Sequence, residues 1–371
     1  MIFIPIISLL IIAYTILVVI LIYGWKRNKK FHFSGNKFTT HVSVLIAIRN
    51  EEENIENLLH DLTQQTFPEN LTEIIIIDDH STDKSREIVF SFTQAHQNIK
   101  LVTCQDEQKG KKHALKVGLQ HANGELIVTS DGDCRMEKKW LETIVSYYEI
   151  NKPKMIIGPV VFDGEKTVFQ KMQSLEFISL IGATAGLAGF KKPIMCNGAN
   201  LAYEREIISE QKDFFNEKLA SGDDVFLLHY LKKSDRDKIH FIKSKLAIVS
   251  TKAPGSLKTF INQRLRWASK SRNYKDADSI LVTVLIFFSN LIFPVLLVAT
   301  FFDFFFLYLF AGVFVFKTII DFVFLFQICS FFKKRKLLIW FFPVQFFYFS
   351  YITIIGFISL FIKPEWKGRS L

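Results

Sequence analysis

Cysteine is scarce in this chain of 371 residues, and its four examples, Cys104, Cys134, Cys196 and Cys329, form no C-x-x-C pair. Their scatter gives no ligand spacing for zinc and no disulfide framework. Gly110-Lys111 lacks the rest of the G-x-x-x-x-G-K-[ST] phosphate loop, which argues against an NTPase. No basic stretch precedes the first apolar run and no small-residue cleavage site follows it. Met1 to Tyr23 therefore reads as a retained anchor and not as a cleaved signal. Ionisable residues are almost missing from the later apolar segments, where Lys317 and Asp321 stand out. Transporters place such groups among their spans, so this scarcity weighs against a transport protein. No internal repeat or low-complexity linker is visible outside a Phe-rich tail.

What is abundant is apolar: 49% of residues are hydrophobic and the mean hydropathy is +0.22. The excess is concentrated. Met1 to Tyr23 is long enough to cross a bilayer, and Ile280 to Phe302, Phe304 to Phe326 and Leu337 to Ile362 are three further candidate spans. Lys26-Arg27-Asn28-Lys29-Lys30 and Lys333-Lys334-Arg335-Lys336 are basic clusters of the cytoplasmic kind. They place residues 24–279 on the cytoplasmic side, between an anchor at 1–23 and about three helices at 280–362. The short basic tail 363–371, with Lys363, Lys367 and Arg369, then falls outside after three crossings, against its charge. A break at Pro343 that made the last segment re-entrant would remove this conflict. The net charge of +10 favours anionic headgroups. Nucleic acid is a poorer partner, because the basic clusters hug the apolar segments instead of forming one patch.

Strand and helix alternate through the polar block. Val42–Ile48, Glu73–Ile77, Ile99–Cys104 and Glu125–Ser130 read as strands; Glu51–Leu62, Asp83–Thr93 and Lys111–His121 read as helices. The strands are nearly continuous in apolar and β-branched residues, as a sheet buried on both faces requires. The alternation predicts an α/β fold with a doubly wound parallel sheet, and ligands in such sheets bind beyond the carboxyl ends of the strands. Three polar clusters fall there: Arg49-Asn50-Glu51, Asp78-Asp79-His80-Ser81 and Asp131-Gly132-Asp133. Asn50 and Ser81-Thr82-Asp83 also suit helix caps and turns. The two carboxylates of Asp131 and Asp133 are one residue apart and can converge on one point. Such a pair resists joint ionisation unless a cation sits between them, and a hard divalent ion such as Mg²⁺ or Mn²⁺ fits.

The ordered set of motifs resembles the family-2 glycosyltransferases, which have the GT-A fold. It comprises Val44-Leu45-Ile46-Ala47-Ile48-Arg49-Asn50-Glu51-Glu52, Ile76-Ile77-Asp78-Asp79-His80-Ser81-Thr82-Asp83, Gly110-Lys111-Lys112-His113-Ala114-Leu115 and Asp131-Gly132-Asp133. Asn197-Gly198-Ala199-Asn200-Leu201-Ala202-Tyr203, Gly222-Asp223-Asp224 and Gln263-Arg264-Leu265-Arg266-Trp267 complete it. The resemblance implies a Rossmann-like, mixed but mostly parallel sheet carrying transmembrane helices at both ends. It further implies that Asp79 contacts the base of a sugar nucleotide, with Glu51 and the backbone of Ala47 to Arg49 holding the nucleoside. Asp131 and Asp133 would be the metal-holding DxD pair, with Asp131 also serving the donor, and Lys111 would lie near the diphosphate. Asp224, followed by Val225-Phe226-Leu227-Leu228, takes the position of the catalytic base, although Asp223 stands where the family has Glu. Gln263, Arg266 and Trp267 match Q-x-x-R-W, with Arg266 offered to the departing diphosphate and Trp267 forming a wall against the acceptor. Asn197, Gly198 and Asn200 would shape the acceptor side, or else form a tight turn. Lys109, Lys112 and His113 suit a solvated helix start.

By that resemblance the chain is an inverting, metal-dependent hexosyltransferase. It would move sugar from a nucleoside-diphosphate donor, most simply a UDP-sugar, to a membrane lipid or lipid-linked acceptor at the cytoplasmic face of a bacterial-type inner membrane. A processive polysaccharide synthase is the alternative of the same class, and the small number of spans weighs against a polymer channel. A membrane binding or transport protein with a nucleotide-sensing domain is the alternative of another class. Lys317 and Asp321, four apart on one helix, can pair, either as a structural salt bridge or as a contact for lipid phosphate.

Overall fold

The structure, a computed structural model, describes residues 3–33, 35, 37–105, 110–209, 223–271, 273–359, 361, 365–366 and 369–370. Lys109, Gly222, Lys363 and Lys367 lie outside the described residues. The helices used below are α1 (Phe3–Arg27), α2 (Ile55–Thr63), α3 (Ser85–Ala95), α4 (Lys111–Gln120), α5 (Trp140–Asn151), α6 (Val168–Ala188), α7 (Glu206–Ser209), α8 (Asp223–Ser234), α9 (Leu257–Ser271), α10 (Ala277–Ala299), α11 (Phe305–Phe331) and α12 (Phe341–Ile358). The strands are β1 (Val42–Ile48), β2 (Thr72–Asp78), β3 (Ile99–Thr103), β4 (Leu126–Asp131), β5 (Arg135–Met136), β6 (Met155–Ile157), β7 (Val160–Asp163), β8 (Leu201–Glu204), β9 (Ile239–Phe241) and β10 (Val249–Lys252). The chain divides into two compact units.

One unit comprises Asn28–Asp163 and Ala188–Lys252. Its main sheet has the order β3-β2-β1-β4-β8-β6-β9. The β1–β2, β2–β3, β1–β4 and β6–β9 pairs are parallel, while β8 runs antiparallel to both β4 and β6. The sheet is thus mixed and mostly parallel. A smaller sheet orders β5-β10-β7. Val44, Leu45 and Ile46 of β1, Ile74 to Ile77 of β2, and Leu126 to Val128 of β4 are all buried. That burial is why these three stretches of the chain read as apolar runs. Helix α2 starts at Ile55, later than the sequence pattern predicts, because the Asn54 and Ile55 amides both close on the Glu51 carbonyl in a turn (2.9 Å each).

The other unit comprises Met1–Arg27, Gly164–Leu187 and Ala253–Leu371. Among the described residues, four helices are long and apolar enough to cross a membrane: Ile4–Arg27, Ala277–Ala299, Phe305–Phe331 and Arg335–Ile358. They match the four apolar runs of the sequence. Pro343 does not break the last one. It sits in the first turn of α12, where a missing N–H costs no helical bond, and the helix runs on to Ile358. Helix α6 packs closely within this unit. A Cβ on Gly186 would lie 2.7 Å from the Leu21 carbonyl oxygen, and one on Gly182 would lie 2.7 Å from the Ile328 side chain. Small residues four apart let helix backbones approach in this way. Asp321 of α11 accepts hydrogen bonds from Tyr14 (2.7 Å), Lys317 (2.6 Å) and Gln345 (3.1 Å). The Lys317–Asp321 pair is therefore buried and joins α1, α11 and α12, as a structural salt bridge does.

Candidate active site

The strand order reverses between β1 and β4, since β2 and β3 extend the sheet on one side of β1 and β4 begins the other. Open α/β sheets bind ligands in the crevice beyond such a switch point. Register aligns the carboxyl ends there: Ala47 lies between Ile77 and Asp131, and Ile48 opposite Asp78. The three polar clusters thus meet along one rim.

Within that rim the residues divide by task. The loops after β1 and β2 brace each other. Asn50 accepts from the Thr82 amide (2.8 Å) and Asp83 from the Glu52 amide (3.0 Å), while the Asn50 and Glu51 amides donate to Ser81 (3.1 Å) and Ser85 (2.7 Å). Asn50, Ser81 and Asp83 are accordingly turn formers, and Asn50 adopts a left-handed φ of 51° that asparagine tolerates. Asp79 is buried at the same edge. One of its oxygens accepts the Gly110 amide (3.0 Å) and the other meets His80 Nδ1 (3.1 Å). Gly110 has φ 117°, which L side chains rarely adopt, so the glycine of Gly110-Lys111 is what aims this amide at Asp79.

Lys111 opens α4 and its ammonium pairs with Asp131. Lys112 is buried and His113 half-buried, which corrects the solvated helix start for both. Asp133 is half-buried, and its Oδ2 accepts the Thr251 hydroxyl of β10 (2.8 Å). Burial first, then the charges of Asp131 and Glu51, push its carboxyl above the usual aspartate range, and the Thr251 bond offsets only part of this. Gly132 fits between the acids because a Cβ there would crowd Glu51 Cγ (3.0 Å) and Ile48 Cγ2 (3.1 Å). Glu51 itself accepts from Asn54 (2.9 Å).

Asp224 stands in the first turn of α8, and its Oδ2 accepts the Gly198 amide (3.1 Å). Lys111 bridges this side to the acid pair. A Cβ built on Gly198 would fall 3.4 Å from Lys111 Nζ and 3.8 Å from Asp224 Oδ2. Asp79, Lys111, Asp131, Asp133 and Asp224 therefore line one continuous rim. Ala47, Arg49 and Glu51 lie at the end of β1 beside it. Thr129 and Ser130 hold the Gly198 turn by donating to the carbonyls of Gly198 (2.7 Å) and Ala199 (3.0 Å), and Asn197 caps it. Asn200 is fully engaged elsewhere, donating to the Pro159 and Ala247 carbonyls (2.8 Å each) and accepting from Trp140 Nε1 (3.1 Å). The segment forms the tight turn, and that turn brings the Gly198 amide to Asp224.

Gln263, Arg266 and Trp267 lie on α9, in the unit of apolar helices. There the Arg264 guanidinium donates to Gln263 and stacks over Trp267, 4.3 Å from its ring centroid. Two features of the rim escaped the sequence pattern. Thr251 is 118 positions from the aspartate it supports, with no local signal. Cys134 adjoins the acid pair in sequence, but its relevance depends on burial.

Ligand atoms of Asp131, Asp133 and Cys134 lie within 4.8 Å of one another. Burial, then the two neighbouring acids, hold the Cys134 thiol well above its usual range, so it stays protonated and suits a hard ion poorly. The two carboxylates suit one well. A divalent cation relieves the repulsion that adds to burial in lifting Asp133, and oxygen donors are what Mg²⁺ and Mn²⁺ take.

The fold is of the GT-A type. Residues 43–211 match the model described as glycosyl transferase family 2, and the chain carries a domain of that family. The chain is 29% identical over 201 residues to glycosyltransferase AglE of Haloferax volcanii, covering 52% of this chain and 60% of that one. It is 26% identical over 237 residues to a poly-β-1,6-N-acetyl-D-glucosamine synthase of Staphylococcus epidermidis (61% and 53%). With the dolichyl N-acetyl-α-D-glucosaminyl phosphate 3-β-D-2,3-diacetamido-2,3-dideoxy-β-D-glucuronosyltransferase of Methanococcus voltae it shares 23% over 236 residues (62% and 72%). The match thus spans between half and two thirds of the first two relatives. Among solved structures, the mannosyltransferase PcManGT of Pyrobaculum calidifontis, in complex with GDP-Man and Mn²⁺, superposes with a TM-score of 0.56 at 18% identity. That likeness covers 96% of this chain and 98% of the other, and it is one of fold.

Proposed function

We propose that this protein is a membrane-anchored, inverting glycosyltransferase that moves a sugar from a nucleoside-diphosphate donor to a lipid or lipid-linked acceptor. The observation that carries this reading is the convergence of Asp79, Lys111, Asp131, Asp133 and Asp224 on the rim at the β1–β4 switch point. Asp79, buried and held by the Gly110 amide, is assigned to the nucleoside base. Asp131 and Asp133 would hold Mg²⁺ or Mn²⁺, which when bound supplies positive charge for the donor diphosphate. Lys111 adds a second positive charge between that pair and Asp224. Asp224 receives the proton of the acceptor hydroxyl as the new bond forms, and its amide contact to Gly198 orients the carboxylate. Gln263, Arg266 and Trp267 are assigned to the leaving group and the acceptor. Four span-length helices and the basic residues at 26–30 and 333–336 support a bilayer setting with the catalytic unit on the cytoplasmic side.

A UDP-sugar is the first donor to test, and the GDP-Man complex of the superposed mannosyltransferase makes GDP-sugars the second. Mn²⁺ with the correct sugar nucleotide should raise the thermal midpoint of the wild type, because a ligand that binds the folded state stabilises it. Asp133→Asn should lose that shift. Asp224→Asn should keep it while transfer falls by about two to four orders of magnitude, the usual contribution of a general base. No metal-dependent shift with any sugar nucleotide would overturn the proposal. The similarity to a polysaccharide synthase favours a second reading, processive extension. Product length on a labelled lipid acceptor separates the two: one added sugar against a ladder.

A further inference from the structure

Arg264 occupies one of the two unspecified positions of Q-x-x-R-W, yet the contacts within the motif centre on it. Its Nη1 donates to Gln263 Oε1, and its guanidinium carbon lies 4.3 Å from the Trp267 ring centroid and 4.5 Å from that of Phe260. The guanidinium is in turn held by Glu176 of α6. Nε lies 3.2 Å from both carboxylate oxygens and Nη2 2.5 Å from Oε2, and the Tyr351 hydroxyl of α12 donates to Oε1 at 2.9 Å. Both charged groups are buried. Trp267 also stacks on Phe177, the residue after Glu176, with centroids 5.9 Å apart. A planar guanidinium can make a forked carboxylate contact and a stacking contact at once, which no other cationic side chain can.

We infer that Glu176 is a positioning residue: through Arg264 it fixes the side-chain conformations of Gln263 and Trp267 on α9. The inference rests on reading Gln263, Arg266 and Trp267 as part of the transfer machinery. Burial of the pair makes its geometry all-or-none, because a guanidinium without its carboxylate would be left charged in a dry site. With the carboxylate in place, Arg264 has one orientation available, and the indole and the carboxamide are set by it.

The test uses the full chain and separates positioning from folding. Glu176→Gln alone leaves Arg264 uncompensated and should lower the thermal midpoint. The double variant Glu176→Gln/Arg264→Met removes both charges and fills the volume, so the midpoint should return towards that of the wild type. If Glu176 positions the motif, the double variant still loses the near-ultraviolet circular dichroism band assigned to Trp267 by its difference from Trp267→Phe. Sugar transfer then stays reduced, by about 100-fold if the reacting groups shift by about 1 Å. If the band and the transfer rate recover together with the midpoint, Glu176 is only a structural partner and the inference fails. Trp267→Ala and Gln263→Ala test the reading beneath it. Full transfer in both would sink the assignment of the motif, and the inference with it.

Discussion

At the scale of single residues, the two ends of the central strands serve opposite purposes. The carboxyl ends gather acids that repel one another around Asp133, whereas the amino ends gather donors around one acid, Glu73. Glu73 accepts from Ser43 (2.6 Å), from the Asn123 and Gly124 amides (2.5 and 3.2 Å) and from Lys100 (2.9 Å), tying β1, β2 and the entry to β4. Burial pushes its carboxyl up, but the bonds from Ser43, Asn123 and Lys100 outweigh this and bring it down to about 2. A folded-state value below the unfolded one means stability that is present above the ordinary glutamate range and lost as pH falls towards the folded value. Glu73→Gln should therefore cost on the order of 1 kcal/mol at pH 7, a discounted figure for a partly exposed cluster. The gap to wild type in urea midpoint should close between about pH 4.5 and pH 2. A gap unchanged across that window would refute the assignment. The rim itself was legible because its acids sit next to strand ends. Thr251 and the buried state of Lys112 were not, since each depends on which distant face the chain packs against.

At the scale of elements, apolar runs revealed the parallel strands β1, β2 and β4 because a strand buried on both faces needs no alternation to be recognised. Strands β6, β8 and β9, three or four residues long, carry too little pattern to announce an antiparallel crossing. Helix α6 was harder still. Gln170, Lys171, Gln173 and Glu176 make its first half polar and interrupt the apolar pattern, yet it packs within the unit of apolar helices through Gly182 and Gly186. Gly186→Val should force α6 away from the Leu21 backbone and cost about 1–3 kcal/mol, the usual range for overpacking. Gly312→Ala, where nothing lies within 4 Å, should be neutral or mildly stabilising. Thermal midpoints of the two variants in detergent make the comparison, and equal losses would show that the close approach is not limiting.

At the scale of the whole molecule, the four span-length helices fall where the hydropathy placed them, but Gly164–Leu187 and the stretch from Ala253 group with those helices although composition reads them as part of the polar block. What composition left hidden is the polar knot around Asp321, which takes one partner from its own helix and two from others. Lys317, four residues earlier on α11, offsets the charge before any other segment arrives. Helix α11 can accordingly partition into lipid as a neutral body, sparing the cost of about 2.5–3.5 kcal/mol that an unpaired central charge carries on insertion scales. Lys317→Ala should then depress insertion of the isolated α11 segment, scored by glycosylation of engineered reporter sites in microsomes, and unchanged insertion would refute this role for the pair. Tyr14 and Gln345 join afterwards. On this view the aspartate is carried into the bilayer with its own counter-ion and becomes a recognition point for assembly only once neighbouring helices are present, so biogenesis of the anchor is written into a four-residue spacing.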